Sequence, residues 1–448
     1  MSGQRVAAFA WQMLERNGEG SADASGHFLS PISLYIALGM ALNGAGPGSV
    51  TQQQLYRLLH QDTTQQLQQQ STTGRSTADV QQPATDADVE LFTTQLAALS
   101  NAIKQQQQQQ REQGQQEEQD MMTMYPEYQP MGWPLCCCLG GSPVAPDLGV
   151  QLIIASAAWT KGVPVHKQFA AQMLQLFQAE VREVCSEQPI NEWAARVTNG
   201  LIRTAVPPGV KWDVLLTNAV YFKALWQYPF KQWHTTEQEF TLHGGRKVKV
   251  DMMTQDFHYH DSRRVRCAET PQYKAVQLPY KWSTISAVIV LPSRQLASRG
   301  IAAAAAQLPV SELLGDATWL PVGYDGLELL LPRFTVNSPP KSLKKDLMAL
   351  GLTAPFDMGA ADFSRLSPTP LAIDEVLQSV YISVNEEGTE AAALTAVCEL
   401  LCGMSKPPRT IRFDRPFLFM LVDDVSSTPL FLGTVSNPSK LPGAMTSY

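Results

Sequence analysis

Residues 214–226, VLLTNAVYFKALW, constrain the fold more than any other stretch, being β-rich and almost continuously apolar. Such a run predicts a central, buried strand, because a strand with one face in water alternates polar and apolar residues. Further strands follow it. EFTLHGGRKVKVDMMTQ carries a Gly-Gly hairpin signal between alternating segments, and AVQLPYKWSTISAVIVLP reads as a second hairpin. LELLLPRFTV, VYISVNEEG and RPFLFMLVDDVSSTPLFLGTV add more strands. The first half of the chain reads differently. Val6, Phe9, Ala10 and Met13 recur at helical spacing, as do Phe92, Leu96, Leu99 and Ile103. SPISLYIALGMALNGA opens on Ser30-Pro31, a good helix start, and KQFAAQMLQLFQAEV is amphipathic, while VQLIIASAAWT reads as a strand. Helices early and long strands late predict an α+β protein, not regular βαβ repetition. Length alone, 448 residues, suggests about three domains.

One region breaks this pattern. From Lys104 to Gly149 a glutamine tract is followed by residues rich in Pro, Gly and Met, including the triplet Cys136, Cys137, Cys138. Residues 104–149 are therefore expected to be a disordered surface insertion. The other cysteines are Cys185, Cys267, Cys398 and Cys402; seven in all form neither a disulfide framework nor a zinc-ligand spacing. Reduced thiols fit a cytoplasmic chain, or one exported by a leaderless route. The apolar stretch Val6–Leu14 is interrupted by Gln12 and followed by Glu15, Arg16 and Asn17, so it reads as a first amphipathic helix with no signal peptide evident. No run reaches about 18 apolar residues, so no membrane partner is expected. A net charge of −7 gives no reason to expect nucleic acid.

Motifs for catalysis are missing. There is no H-E-x-x-H, G-x-S-x-G or G-x-x-x-x-G-K-[ST], and GAGPGS at Gly44 follows a helix and reads as a turn. His258 and His260 would share a strand face with Asp256, but their polar surroundings favour solvated side chains over a metal site. Glu386 and Glu387 are adjacent, so on a strand they would face opposite ways and could not act jointly. Neither enzyme activity nor a cofactor or metal is expected.

The informative segment is VYISVNEEGTEAAALTAVCELLCGMSKPPRTIRFDRP, residues 380–416. Thr389, Ala391, Ala393, Thr395 and Val397 share one parity and are all small or β-branched. On a strand they form a face able to slip between two neighbours, with Glu390 on the opposite, solvent side. By propensity alone the same residues also suit an Ala-rich helix, and the flanking strands leave both readings open.

NEEGTEAAALTA closely resembles the hinge of the reactive-centre loop of serpins. SPISLYIALGMALNGA, NEWAARVTNGLI, LTNAVYFKALW, VQLPYKWSTISAVIVLP, LLPRFTV, RPFLFMLV and PLFLGTVSNP resemble serpin segments in the family's order. The resemblance implies one serpin domain over residues 1–448, with about nine helices around three β-sheets and an exposed reactive-centre loop at 386–412. It implies inhibition of a protease by loop cleavage and insertion, with a hinge at Glu386, Glu387, Gly388, Thr389, Glu390, Ala391, Ala392 and Ala393. Counting the usual loop length from Gly388 places the scissile bond at Cys402-Gly403, with Met404-Ser405 as the alternative. Leu400 and Leu401 before the cut suit a chymotrypsin- or elastase-like serine protease, with trypsin-like and cysteine proteases left open. Ser30, Pro31, Ser33 and Asn218 match the family's shutter, where the sheet opens. Trp226 and an Arg333–Glu386 ion pair match its breach, where insertion begins; the plainer expectation for that pair is two solvated charges. Gln378 stands where the family often has His, Ala224 replaces a usual Gly, and Glu399 falls on the inward parity. The chain is expected to be a monomer. The alternative function is a serpin-fold binding protein or chaperone without inhibition.

Overall fold

Val214–Leu225 forms a strand buried along nearly its whole length, and period-two alternation explains how. Val214, Leu216, Val220, Phe222 and Ala224 enter the main core, whereas Leu215 and Ala219 pack under Trp193 on the opposite face. The computed structural model describes residues 3–18, 28–60, 83–124, 150–258, 264–315, 319–323, 325–389 and 408–440. Its helices are α1 (Gly3–Gly18), α2 (Pro31–Gly44), α3 (Val50–His60), α4 (Asp86–Met124), α5 (Lys167–Phe177), α6 (Gln188–Val197), α7 (Ile301–Ala305), α8 (Val310–Leu313) and α9 (Lys344–Ala349). Its strands are β1 (Phe28–Leu29), β2 (Gln151–Thr160), β3 (Glu180–Glu183), β4 (Val214–Leu225), β5 (Thr236–Thr241), β6 (Lys247–Phe257), β7 (Arg266–Glu269), β8 (Tyr273–Pro279), β9 (Ile285–Pro292), β10 (Leu320–Pro321), β11 (Leu327–Pro332), β12 (Phe334–Ser342), β13 (Glu375–Val384), β14 (Gly388–Thr389), β15 (Arg409–Arg412), β16 (Phe417–Asp423) and β17 (Thr428–Val435).

The strands make three sheets: β1-β17-β16-β9-β8-β7-β10, β15-β11-β6-β5, and β12-β13-β14-β4-β2-β3 with β13 also paired directly to β4. One continuous core joins Val6 and Phe9 of α1, Ile32 and Leu38 of α2, Val220 of β4, Leu329 of β11 and Phe431 of β17. A core shared by all three sheets makes this a single α+β domain, and the three-domain expectation from length fails for that reason. α2 is buried around its circumference, as a helix apolar on every side must be. Pro31 supplies its first turn, where a missing N–H costs nothing. The Gly-Gly hairpin is present between β5 and β6, with Gly244 and Gly245 at φ of 87° and 85°. GAGPGS is the turn that ends α2. Asp256 and His258 are exposed at the end of β6, and His260 lies outside the described residues.

The expected disordered insertion is corrected over its first half. α4 continues through the glutamine tract to Met124, 39 residues in all. Val89, Phe92, Leu96 and Ile103 anchor its first half in the core, so nucleation is already complete when the tract begins. Glutamine is a good helix former, and each further residue only propagates. Bonds from Gln108 to Glu112 and from Gln116 to Asp120, four apart, reinforce the exposed side. Residues 125–149, including the cysteine triplet, lie outside the described residues.

Candidate functional site

At the centre of the six-stranded sheet β4 and β13 run parallel, from Glu375 opposite Leu215 to Ile382 opposite Phe222. Past that point β14 lies between them. Gly388 pairs with Leu225 and Thr389 with Ala224 on one side, and Thr389 pairs with Val384 on the other, antiparallel to both. A parallel pair is the one arrangement between which a single strand can run antiparallel to each neighbour.

The turn that feeds β14 is built by Asn385. Its Oδ1 accepts from the backbone N–H groups of Glu387 and Gly388, each at 3.1 Å, and its own N–H donates to the Gly388 carbonyl at 2.8 Å. This is the local chemistry that lets Asn reverse a chain. Trp226, directly after β4, reads the turn with both its donors: N–H to Glu387 O at 2.8 Å and Nε1–H to Asn385 O at 3.0 Å. Its indole is buried and stacks on Tyr280, centroids 4.4 Å apart. Phe230 N–H donates to Glu386 O at 2.6 Å. Gly388 has no room for a side chain, since a Cβ there would run into the Ala224 carbonyl and Leu225 Cα.

Glu386 is 3% exposed, so the expectation of two solvated charges fails for the acid. Its Oε1 accepts from Arg333 Nη2 at 2.5 Å and from Thr235 Oγ1 at 2.6 Å. Arg333 keeps 45% of its side chain exposed and also lies 3.7 Å from Asp251. Glu387 is buried too, and accepts from Gln232 Nε2 at 3.4 Å. The two carboxylates sit in a turn, not on a strand, and each has its own donors.

Halfway down the same seam lies a second polar cluster, in which Ser30, Ser33, Ser156, Asn218 and Gln378 are all buried. Gln378 and Asn218 are register partners across β13 and β4, yet their amides turn apart. Gln378 Oε1 accepts from Ser30 N–H at 2.8 Å, and its Nε2 donates to Ser30 O at 3.0 Å and Ser33 Oγ at 2.9 Å. Ser156 Oγ, on β2, donates to Asn218 Oδ1 at 2.9 Å. So β13 is tied to the start of α2 and β4 to β2, while neither amide ties β13 to β4. Pro31 places Ser30 and Ser33 by starting α2 between them. Ser30 Oγ donates to Leu430 O of β17 at 2.7 Å, linking the first sheet to this cluster.

Of the expected breach and shutter residues, Ser30, Pro31, Ser33 and Asn218 lie around Gln378, and Trp226 and Arg333 around the turn at Asn385–Glu387. Glu390, Ala391, Ala392 and Ala393 and both candidate bonds, Cys402-Gly403 and Met404-Ser405, lie outside the described residues. Thr389 is the last described residue before them, and beyond them Arg409 begins β15, parallel to β11. Sequence reading did not find Thr235, Asn385, Ser156 or Tyr280. They are common residue types in no motif, and only their long-range partners give them a role. Among the described residues no group of three or more potential ligands could hold a metal ion, and no helix is long and apolar enough to cross a membrane.

Three sheets, a central parallel pair and a strand begun between its members define a class of protein. The chain belongs to the serpin family: the family model Serpin (serine protease inhibitor) matches residues 4–438. Glia-derived nexin from Rattus norvegicus is 32% identical over 301 residues, 64% of this chain and 72% of that protein. Serpin B11 from Homo sapiens is 30% identical over 307 residues, 65% of this chain and 76% of that protein. Thyroxine-binding globulin in its complex with thyroxine superposes with a TM-score of 0.71 at 19% identity, covering 97% of this chain and 99% of that one, a likeness of fold. The family is one of protease inhibitors rather than enzymes.

Proposed function

We propose that this chain traps serine proteases as a suicide substrate. The observation that carries the reading is β14, two residues already paired antiparallel to both members of a parallel pair. Extending it replaces one parallel interface with two antiparallel ones, and each added residue gains backbone partners on both sides. The protease serine attacks the carbonyl of Cys402, with Met404 as the alternative, and the peptide bond to Gly403 breaks. The amine of Gly403 leaves with a proton, and the Cys402 acyl group stays on the protease as an ester. Residues 390–401 then follow Thr389 into the seam, the 13 extended residues 389–401 spanning roughly 40 Å. The tethered protease is dragged along and its geometry distorted before water reaches the ester. Small residues at Ala391, Ala392 and Ala393 favour speed in that race. Glu386, Glu387, Gly388, Thr389 and Glu390 form the rest of the hinge, Trp226 and Arg333 guard the entrance, and Ser30, Pro31, Ser33 and Asn218 sit where the seam must part. Leu400 and Leu401 direct the loop to chymotrypsin- or elastase-like pockets.

Incubation with chymotrypsin and with elastase is expected to give an SDS-resistant covalent complex, with a released peptide beginning at Gly403 by mass spectrometry. Cleaved chain with no complex across a protease panel overturns inhibition and leaves a serpin-fold binding protein.

A further inference from the structure

We propose that the second half of α4 is a strap that restrains the opening of the β4–β13 seam by holding the turn between β8 and β9. Its importance for trapping rests on the function proposed above; the restraint itself does not.

Two contacts on one face of α4 fix that turn. Gln107 is 6% exposed, whereas Gln105, Gln108 and Gln109 of the same tract are exposed. Both ends of its amide are used on adjacent residues: Oε1 accepts from Ser283 Oγ and Nε2 donates to Thr284 Oγ1, each at 2.7 Å. A buried amide satisfied at both ends specifies a position, because sliding by one residue would orphan a donor and an acceptor. Seven residues on, two helical turns along the same face, Gly114 is buried against Trp282. A Cβ there would run into Cγ and Cδ1 of the indole. Trp282 has a φ of 51°, unusual for a bulky residue, and Lys281 Nζ lies 4.0 Å from its ring centroid.

The turn is coupled to the hinge by short steps. Lys281 N–H donates to Leu225 O at 2.8 Å. Tyr280 stacks on Trp226 and bridges to it, and Trp226 holds Glu387 and Asn385. From its other side the turn is braced by Thr284 Oγ1, which donates to Asp423 Oδ1 at 2.6 Å. For a strand to lengthen from β14, Phe222 and the residues before it must part from β13, and Leu225, on the same strand and already paired with Gly388, must move with them. While α4 grips Ser283, Thr284 and Trp282, that movement must also strain the turn, which is a continuous physical route between helix and seam.

The test compares Gln107→Ala and Gly114→Leu with the parent protein, and Gln116→Ala on the solvated side as control. Hydrogen exchange is followed at 220–230 and 380–389, together with the rate at which a synthetic peptide of residues 389–401 anneals. Either strap variant is expected to speed exchange at both segments by about fivefold and to accelerate annealing, with the control unchanged. Should Gly114→Leu fail to fold, Gln107→Ala decides alone. Faster exchange confined to 280–284, with 380–389 at the parent rate, overturns the strap. A strap variant that loosens the hinge in a protein that forms no protease complex leaves the strap standing and removes the inhibitory reading.

Discussion

Glu386 shows how one side chain can hold a hinge. Its carboxylate is buried in a turn two residues before β14 and accepts from a guanidinium between β11 and β12 and from a hydroxyl just before β5. Removing Arg333 leaves a buried acid with one neutral donor, a costlier state than losing an exposed pair. Arg333→Ala is therefore expected to destabilise the protein by about 1–3 kcal/mol in urea unfolding, the range for stranding a buried polar group. Arg333→Lys should recover only part of this, because a point charge cannot replace the fork that also reaches Asp251. A midpoint unchanged in Arg333→Ala would mean the acid relaxes to solvent. Of this site, the sequence made the pairing of Arg333 with Glu386 legible through family resemblance. The burial of the acid was not legible, because it depends on Thr235 and Phe230 closing over a turn more than 150 residues away in the chain.

At the scale of the element, α4 and β14 carry opposite lessons. The glutamine tract lacks the periodic apolar stripe that marks a packed helix, so reading it as disorder followed from composition. It is helical because propagation from an anchored half is cheap. Gln109 is exposed, and Gln109→Pro is expected to cost the helix about 3 kcal/mol locally. The measurable result is lost ellipticity at 222 nm with the main thermal transition in place; full ellipticity would show that the helix restarts beyond the proline. β14, by contrast, is two residues long and has no periodicity to read, and only the register with Leu225, Ala224 and Val384 identifies it as a strand. Thr389 is paired with Ala224 on one side and Val384 on the other, at the point from which β14 would lengthen. Thr389→Arg is expected to convert the protein from inhibitor to substrate: loop cleavage at the parent rate, no SDS-stable complex. Complex formation at the parent yield would show that insertion does not begin at this residue.

For the whole molecule, the proposed mechanism treats the uncut chain as a sheet with room for one more strand between its central parallel pair. Cleavage between residues 390 and 407 is expected to raise the thermal transition, because the inserted strand gains two ladders and buries its small-residue face. Calorimetry before and after limited proteolysis measures this directly, and a transition no higher after nicking contradicts the insertion mechanism. The protein would then be a serpin fold used for binding.

Local periodicity was sufficient to place the long strands, the two hairpins, the early helices and the α+β class, because alternation and helical spacing are properties of neighbouring residues. The order of small residues after Gly388 was equally visible. What only the folded structure decided is where distant groups meet: Gln378 with Ser30 across 348 positions, Gln107 with Thr284 across 177, and Trp226 with Asn385 across 159. Each of these polar atoms could be satisfied by water in an open chain. Their pairing follows from the core closing around them, which excludes water and leaves one another as partners.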